Sequence, residues 1–260
     1  MVLLDEDKTI LPPRTFQARD GVTLAYREMG EGRPVILIHG YFSTATTNWV
    51  RYGHARTLAA RGFRVIMPDL RAHGDSQKPH DPGAYQPDIL ADDGFALVSH
   101  LELTDYDLGG YSLGARTTVR MLVRGATPRR AVLGGMGLSG LLDTADRGVF
   151  FKHVLTNLGT FQRGSAEWMA EAFLKTVGGD PVALLHVLDT FVDTSEDQLQ
   201  GITVPTLVVI GQDDKDNGSA EDLVRTLQHA QQATIPGNHM SAVVKPALGE
   251  QIADYLVARC

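Results

Sequence analysis

The chain has 260 residues, long enough for one full-sized α/β domain with a well-buried core. Hydrophobic residues make up 43% and charged residues 21%, the balance of a soluble globular protein, and a net charge of −7 leaves no basic surface to draw in nucleic acid or anionic lipid. The single cysteine, Cys260, cannot form an internal disulfide, the opening MVLLDEDKTILPPRTF lacks a signal-peptide core, and no run nears the roughly 18 apolar residues of a membrane span; the expectation is a cytoplasmic protein acting on a small molecule, with no membrane partner.

In chain order, TFQA and VTLAYREMG flank Arg19, Asp20 and Gly21 and predict an antiparallel hairpin. Strands follow at 35–38 and 64–67, with one helix over 48–62 between them, ended by Gly62. A helix is predicted at 89–100, then YDLGGYS leads into ARTTVRMLVRG as strand, tight turn and helix. Strands come next at 131–135, 204–211 and 233–235, and LGEQIADYLVAR closes the chain as a helix. Strands alternating with helices predict a mostly parallel sheet flanked by helices. The gap between Gly135 and Val204 is too long for a simple crossover. Its helical stretches around 149–158, 166–177 and 182–192 predict a cap inserted after the sixth strand, residues 138–200, with 1–137 and 201–260 as the core domain.

Gly110-Tyr111-Ser112-Leu113-Gly114 fits G-x-S-x-G. Chance alone yields about 0.1 such matches in a chain of this composition, so the setting must carry the argument. A strand precedes the motif and a helix follows, which is the setting the chemistry requires: a strained turn lifts the serine hydroxyl above the sheet, and glycines two residues either side remove side chains that would clash. Without that chemistry, Gly109 and Gly110 would simply form a tight strand-to-helix connection.

From this point the chain resembles the α/β-hydrolase family over nearly its whole length. ILIHGYF resembles the family's strand and His-Gly loop, and MPDLRAHGDSQKP its PDxRGxGxSxxP stretch, with Ala72 where glycine is common. VPTLVVIGQDD resembles the strand ending in G-x-x-D, and IPGNHMSAVVKP the loop carrying the catalytic histidine. The resemblance implies Ser112 as nucleophile, His239 as base and Asp214 as the acid behind it, in the family order of serine, acid, histidine.

The residues themselves leave Asp213, Asp214 and Asp216 in competition; family spacing, which puts the acid third after Gly211, selects Asp214. His239 falls in a Pro-Gly-Asn loop signal after the last strand, where it can reach the sheet edge that carries the serine turn. The oxyanion needs two backbone donors: the N–H of Leu113, directly after the nucleophile, and, by resemblance, the N–H of Tyr41, directly after His39-Gly40. Of the nine histidines, His39 and His73 are expected to shape their loops, and His54, His80, His100, His153, His186 and His229 carry no expected role.

Two motifs point elsewhere. Gly135-Met136-Gly137-Leu138-Ser139-Gly140 matches the dinucleotide pattern G-x-G-x-x-G, yet no acidic residue lies over 155–160 to hold a ribose, and the motif comes late in the chain; it is expected to be an exit from strand into cap. DDKDNG suggests a calcium loop, but Lys215 stands where an oxygen ligand belongs. No cofactor or metal is expected.

The function expected is hydrolysis of carboxylic esters of small hydrophobic substrates through an acyl-enzyme on Ser112. A serine at that position argues against aspartate-dependent haloalkane dehalogenases and epoxide hydrolases. Carbon–carbon bond hydrolases, amidases, lactonases and perhydrolases share the triad. From other classes come a non-catalytic ligand-binding protein on this fold and an oxidoreductase using the glycines at 135–140.

Overall fold

A computed structural model describes residues 11–258 of the chain. Cys260 and the first ten residues, with the thiol and targeting expectations placed on them, lie outside the described residues. Eight runs become strands: β1 Arg14–Gln17, β2 Thr23–Met29, β3 Arg33–Ile38, β4 Phe63–Pro68, β5 Asp107–Tyr111, β6 Ala131–Gly134, β7 Thr206–Gly211 and β8 Ala230–Ile235. They form one sheet in the order β1-β2-β4-β3-β5-β6-β7-β8. The predicted hairpin is present, with Gln17 paired to Thr23; β1–β2 and β2–β4 are antiparallel and every later pair is parallel. Strands β5, β6 and β7 are buried along their whole length, the pattern of parallel strands covered on both faces.

The helices are α1 His54–Ala59, α2 Ile89–His100, α3 Leu113–Val123, α4 Ser139–Leu142, α5 Ala145–Thr156, α6 Ala166–Val177, α7 Pro181–Val187, α8 Glu196–Gln200, α9 Ala220–Thr226, α10 His239–Ala242 and α11 Pro246–Val257. Alternation along the strands divides the core. Val35, Leu37, Val65 and Met67 face one side and pack with Trp49, Leu58, Leu248 and Ile252. Ile36, Ile38, Ile66 and Leu108 face the other and pack with Leu97 and Met121. Val154, Leu174, Leu184 and Val187 of the helices between β6 and β7 join that second cluster, together with Tyr41 and Phe42.

The single helix expected over 48–62 is instead two pieces. A π-helical turn, Thr46–Val50, is followed by Gly53 in the left-handed region at φ +81° and then by α1, which ends before Gly62 as predicted. The apolar spacing runs through both pieces, so periodicity could not show the break. The last strand is longer than predicted, because Gln231 and Gln232 pair with Leu207 and Val208 despite their polarity. The helical stretch at 182–192 ends as a 3₁₀ turn, Leu188–Thr190.

Parallel register brings the functional loops to one edge. Ile38 pairs with Gly110, Tyr111 with Gly134, Gly134 with Val209 and Gly211 with Ile235. The loops after β3, β5, β7 and β8 therefore all leave from the carboxyl ends of neighbouring strands, where open α/β sheets place their ligands.

Candidate active site

Ser112 sits between β5 and α3 with φ +54° and ψ −111°, a conformation that a residue with a side chain holds only under constraint. The constraint is close backbone packing. A Cβ on Gly110 would lie 2.3 Å from the carbonyl carbon of Gly114, and one on Gly114 would lie 2.1 Å from Ile38 O. Ser112 N–H donates to Gly134 O at 2.8 Å and its carbonyl accepts from Arg116 N–H at 3.0 Å, so β6 and the first turn of α3 fix the turn from both sides. The glycines at both ends of the motif thus have the steric purpose inferred for them.

The histidine arrives on a short helix rather than in the loop expected. Asn238 caps α10: its Oδ1 accepts from Ser241 N–H at 3.0 Å, and Ser241 Oγ accepts from Asn238 N–H at 2.9 Å. The signal, Asn followed three residues later by Ser, was present in NHMS. Tyr111 Oη donates to His239 O at 2.7 Å, holding the backbone of the histidine from the nucleophile turn itself. Burial raises the pKa of that phenol, which keeps it a donor.

The three predicted side chains meet. His239 Nε2 lies 3.0 Å from Ser112 Oγ, and His239 Nδ1 lies 2.9 Å from Asp214 Oδ2. A carboxylate only accepts, so Nδ1 carries the proton and Nε2 is left to accept one from the serine. The side chain of Asp214 is 0% exposed and that of His239 6%, so little water screens the pair. Asp213 is exposed and turned to Gln212. Asp216 is exposed too, and its N–H donates to Asp214 Oδ1 at 3.1 Å. Register in three dimensions thus singles out Asp214 from its neighbours.

Asp214, Asp216 and His239 are also the one group among the described residues with three ligating side chains within 4.8 Å of one another. The imidazole in it already donates to one carboxylate and faces the serine hydroxyl, which is the geometry of a hydrogen-bonded relay.

The loop after β3 packs against the serine turn: a Cβ on Gly40 would lie 3.5 Å from Ser112 Cβ. Tyr41 follows Gly40 directly in this loop, and Leu113 opens α3 directly after Ser112. His39 shapes this loop, as anticipated. Its Nε2 accepts from Leu70 N–H at 3.0 Å and its Nδ1 donates to Gly40 O at 2.8 Å. Burial lowers its pKa, which keeps the ring neutral for both bonds. His73 packs edge-on against His39, with ring centroids 5.0 Å apart. Two side-chain contacts were not foreseen from the sequence. Asn48 Oδ1 accepts from Gly40 N–H at 3.1 Å, and Tyr41 Oη donates to Leu184 O at 2.6 Å. Asn48 belongs to no recognisable motif, and Tyr41 was singled out only for its backbone N–H.

Four of the six remaining histidines pack as follows. His54 bonds Val243 O, His80 meets Asp180, His100 stacks on Phe16 and His186 lies against Tyr85. The glycines at 135–140 are close-packing positions: a Cβ on Gly137 would lie 2.2 Å from Gly218 O, and one on Gly140 2.7 Å from Asn217 Cβ. Asn217, in the calcium-like loop, is buried and donates from Nδ2 to Gly135 O at 2.9 Å. The two decoy motifs are therefore packed against each other. Among the described residues no helix is long and apolar enough to cross a membrane.

Comparison with known proteins gives a consistent assignment. A family model described as "alpha/beta hydrolase fold" matches residues 33–187. The chain is 34% identical over 109 residues to an AB hydrolase superfamily protein of Bacillus subtilis, a match spanning 42% of this chain and 39% of that one. It is 29% identical over 253 residues to a non-heme haloperoxidase of Rhodococcus erythropolis, covering 85% and 90%. Among solved structures, an esterase from Thermogutta terrifontis superposes with a TM-score of 0.75 at 25% identity, over 94% of this chain and 98% of that one.

Proposed function

The chain belongs to the α/β-hydrolase fold family, and on that premise we propose that it is a serine hydrolase cleaving carboxylic esters of small hydrophobic substrates. The observation that carries this is one imidazole placed 3.0 Å from a serine hydroxyl and 2.9 Å from a buried carboxylate. Ser112 Oγ attacks the ester carbonyl carbon while its proton passes to His239 Nε2. Asp214 stabilises the imidazolium and holds its tautomer. The N–H groups of Leu113 and Tyr41 receive the oxyanion, and losing one such donor costs about 3 kcal/mol of transition-state stabilisation. The imidazolium then protonates the departing alkoxide, leaving an acyl-enzyme on Ser112. Water, deprotonated by His239, attacks the acyl carbon and releases the acid.

The helices between β6 and β7, residues 138–200, serve as a cap over a core of 1–137 and 201–260. Phe150, Phe151, Leu184 and Phe191 there support a hydrophobic acyl preference, since all pack in the cluster that holds Tyr41. The haloperoxidase relative favours one variation: hydrogen peroxide in place of water would turn the acyl-enzyme into a peroxy acid.

Fluorophosphonate labelling with mapping of the adduct, alongside p-nitrophenyl esters of increasing acyl length, tests the proposal. Labelling at Ser112 with turnover, both lost in Ser112→Ala, is the expected result. Turnover that survives in Ser112→Ala refutes it, and binding of small hydrophobic ligands without labelling or turnover points to a non-catalytic binding protein.

A further inference from the structure

Tyr41 belongs to two parts of the molecule at once. Its backbone follows Gly40 beside Ser112, but its side chain runs into the helices inserted between β6 and β7. There its hydroxyl donates to Leu184 O of α7 at 2.6 Å, and its ring meets Phe151 of α5 edge-on at 4.7 Å and Phe191 at 6.4 Å. Burial raises the pKa of this phenol, so the hydroxyl stays a donor.

The next residue, Phe42, holds φ +59°, a left-handed conformation costly for a bulky side chain. Such strain persists only where the surroundings over-determine it. The ring of Phe42 is 2% exposed, stacked on Tyr41 at 4.5 Å and edge-on to the same Phe151 at 5.2 Å. On the sheet side the loop is held by Asn48 through Gly40 N–H and by Asp69 through Ala45 N–H at 2.8 Å. On the other side it is held by α5, α7 and Phe191.

We infer that the inserted helices complete the oxyanion hole: through the side chains of Tyr41 and Phe42 they hold the Tyr41 N–H in its working position. The inference rests on the serine-hydrolase proposal and deepens it. The side chain of Tyr41 is then a positioning residue, distinct from its backbone donor. The second donor's element has a matching tie. Arg116 of α3 lies over the ring of Phe191 at 4.8 Å, and Arg120 of α3 donates to Thr194 Oγ1 at 3.2 Å. Both donors therefore stand on elements stitched to the same insertion. Acyl groups small enough to leave α5 and α7 seated are turned over with the hole formed. Larger ones that wedge these helices aside bind but react slowly, so selection against size is expressed in kcat rather than KM.

Tyr41→Phe tests this directly, since it keeps the ring and deletes only the bond to Leu184. Expected is a kcat for p-nitrophenyl acetate lower by about tenfold, a fraction of the loss when a whole donor is removed, with KM within about twofold because ground-state contacts persist. A boronic acid that mimics the tetrahedral intermediate should bind more weakly by the same factor. If the wild type is labelled at Ser112 and Tyr41→Phe keeps wild-type kcat and boronate affinity, the inference is overturned, whatever the change in melting temperature. Should Tyr41→Phe not fold, Phe151→Leu, which loosens both rings, decides by the same two readouts. Failure of the underlying proposal looks different: the wild type itself is then not labelled at Ser112.

Discussion

At the scale of the residue, the site turns on which proton each nitrogen of His239 holds. Asp214 can orient the ring only as an acceptor, so Asp214→Asn, which can donate in its place, is expected to favour the wrong tautomer and lower kcat by about 10⁴-fold with little change in KM. Asp213→Asn is the control: that side chain is exposed and turned to Gln212, so kcat should stay within about twofold of wild type. Steady-state kinetics on a p-nitrophenyl ester separate the two. The three aspartates could not be ranked from the residues alone, because they lie within four positions of one turn and differ only in where the turn aims them. Family spacing chose Asp214, and the fold brings that carboxylate to the imidazole.

Elements set the positions of these side chains through close approach. Gly114→Ala places a Cβ against the backbone of Ile38, where neither partner can move away, and is expected to destabilise the protein by more than about 3 kcal/mol and to abolish fluorophosphonate labelling. Gly148, inside α5, has nothing within 4 Å of an added Cβ and does not hold a positive φ. Gly148→Ala should therefore raise the unfolding free energy by about 0.5–1 kcal/mol through helix propensity, measurable as a shift in the urea midpoint at unchanged slope. The motif around Ser112 was legible at Gly110, whose Cβ would strike Gly114 of its own turn, whereas the demand at Gly114 comes from Ile38 of β3. Gly137 and Gly140 were not legible, because their demand comes from Asn217 and Gly218, in a loop after another strand.

Across the whole molecule, buried histidines couple fold stability to pH. His39 and His73 are fully enclosed, and burial holds both pKa values below the ordinary 6.5. Below about pH 6.5 the unfolded chain binds protons that the folded one refuses. Their contribution is therefore complete above that pH and is lost as pH falls from 7.5 to 5.5. Asp93 acts in the opposite sense: burial pushes its carboxyl up to about 6 beside Arg71, so the folded state takes up a proton below that pH and offsets part of the loss. Urea denaturation of His73→Asn at the two pH values should show a loss smaller than that of the wild type; an unchanged difference contradicts the assignment.

What the sequence determined by itself is local: the alternation of strands and helices, the hairpin at the start and the strained turn at Ser112. Each is written in neighbouring residues, as apolar periodicity or as a glycine whose Cβ would strike its own turn. Tertiary structure decided what depends on residues far apart in the chain. The break at Gly53 lies inside one continuous apolar pattern, so only packing reveals it. The contact of Asp214 with His239 depends on Ile235 pairing with Gly211, which aligns the loops after β7 and β8. The hydroxyl of Tyr41 reaches a carbonyl 143 positions away. Such a contact leaves no periodicity and no spacing to read, because any hydroxyl-bearing residue and any backbone carbonyl can make it once the fold brings them together.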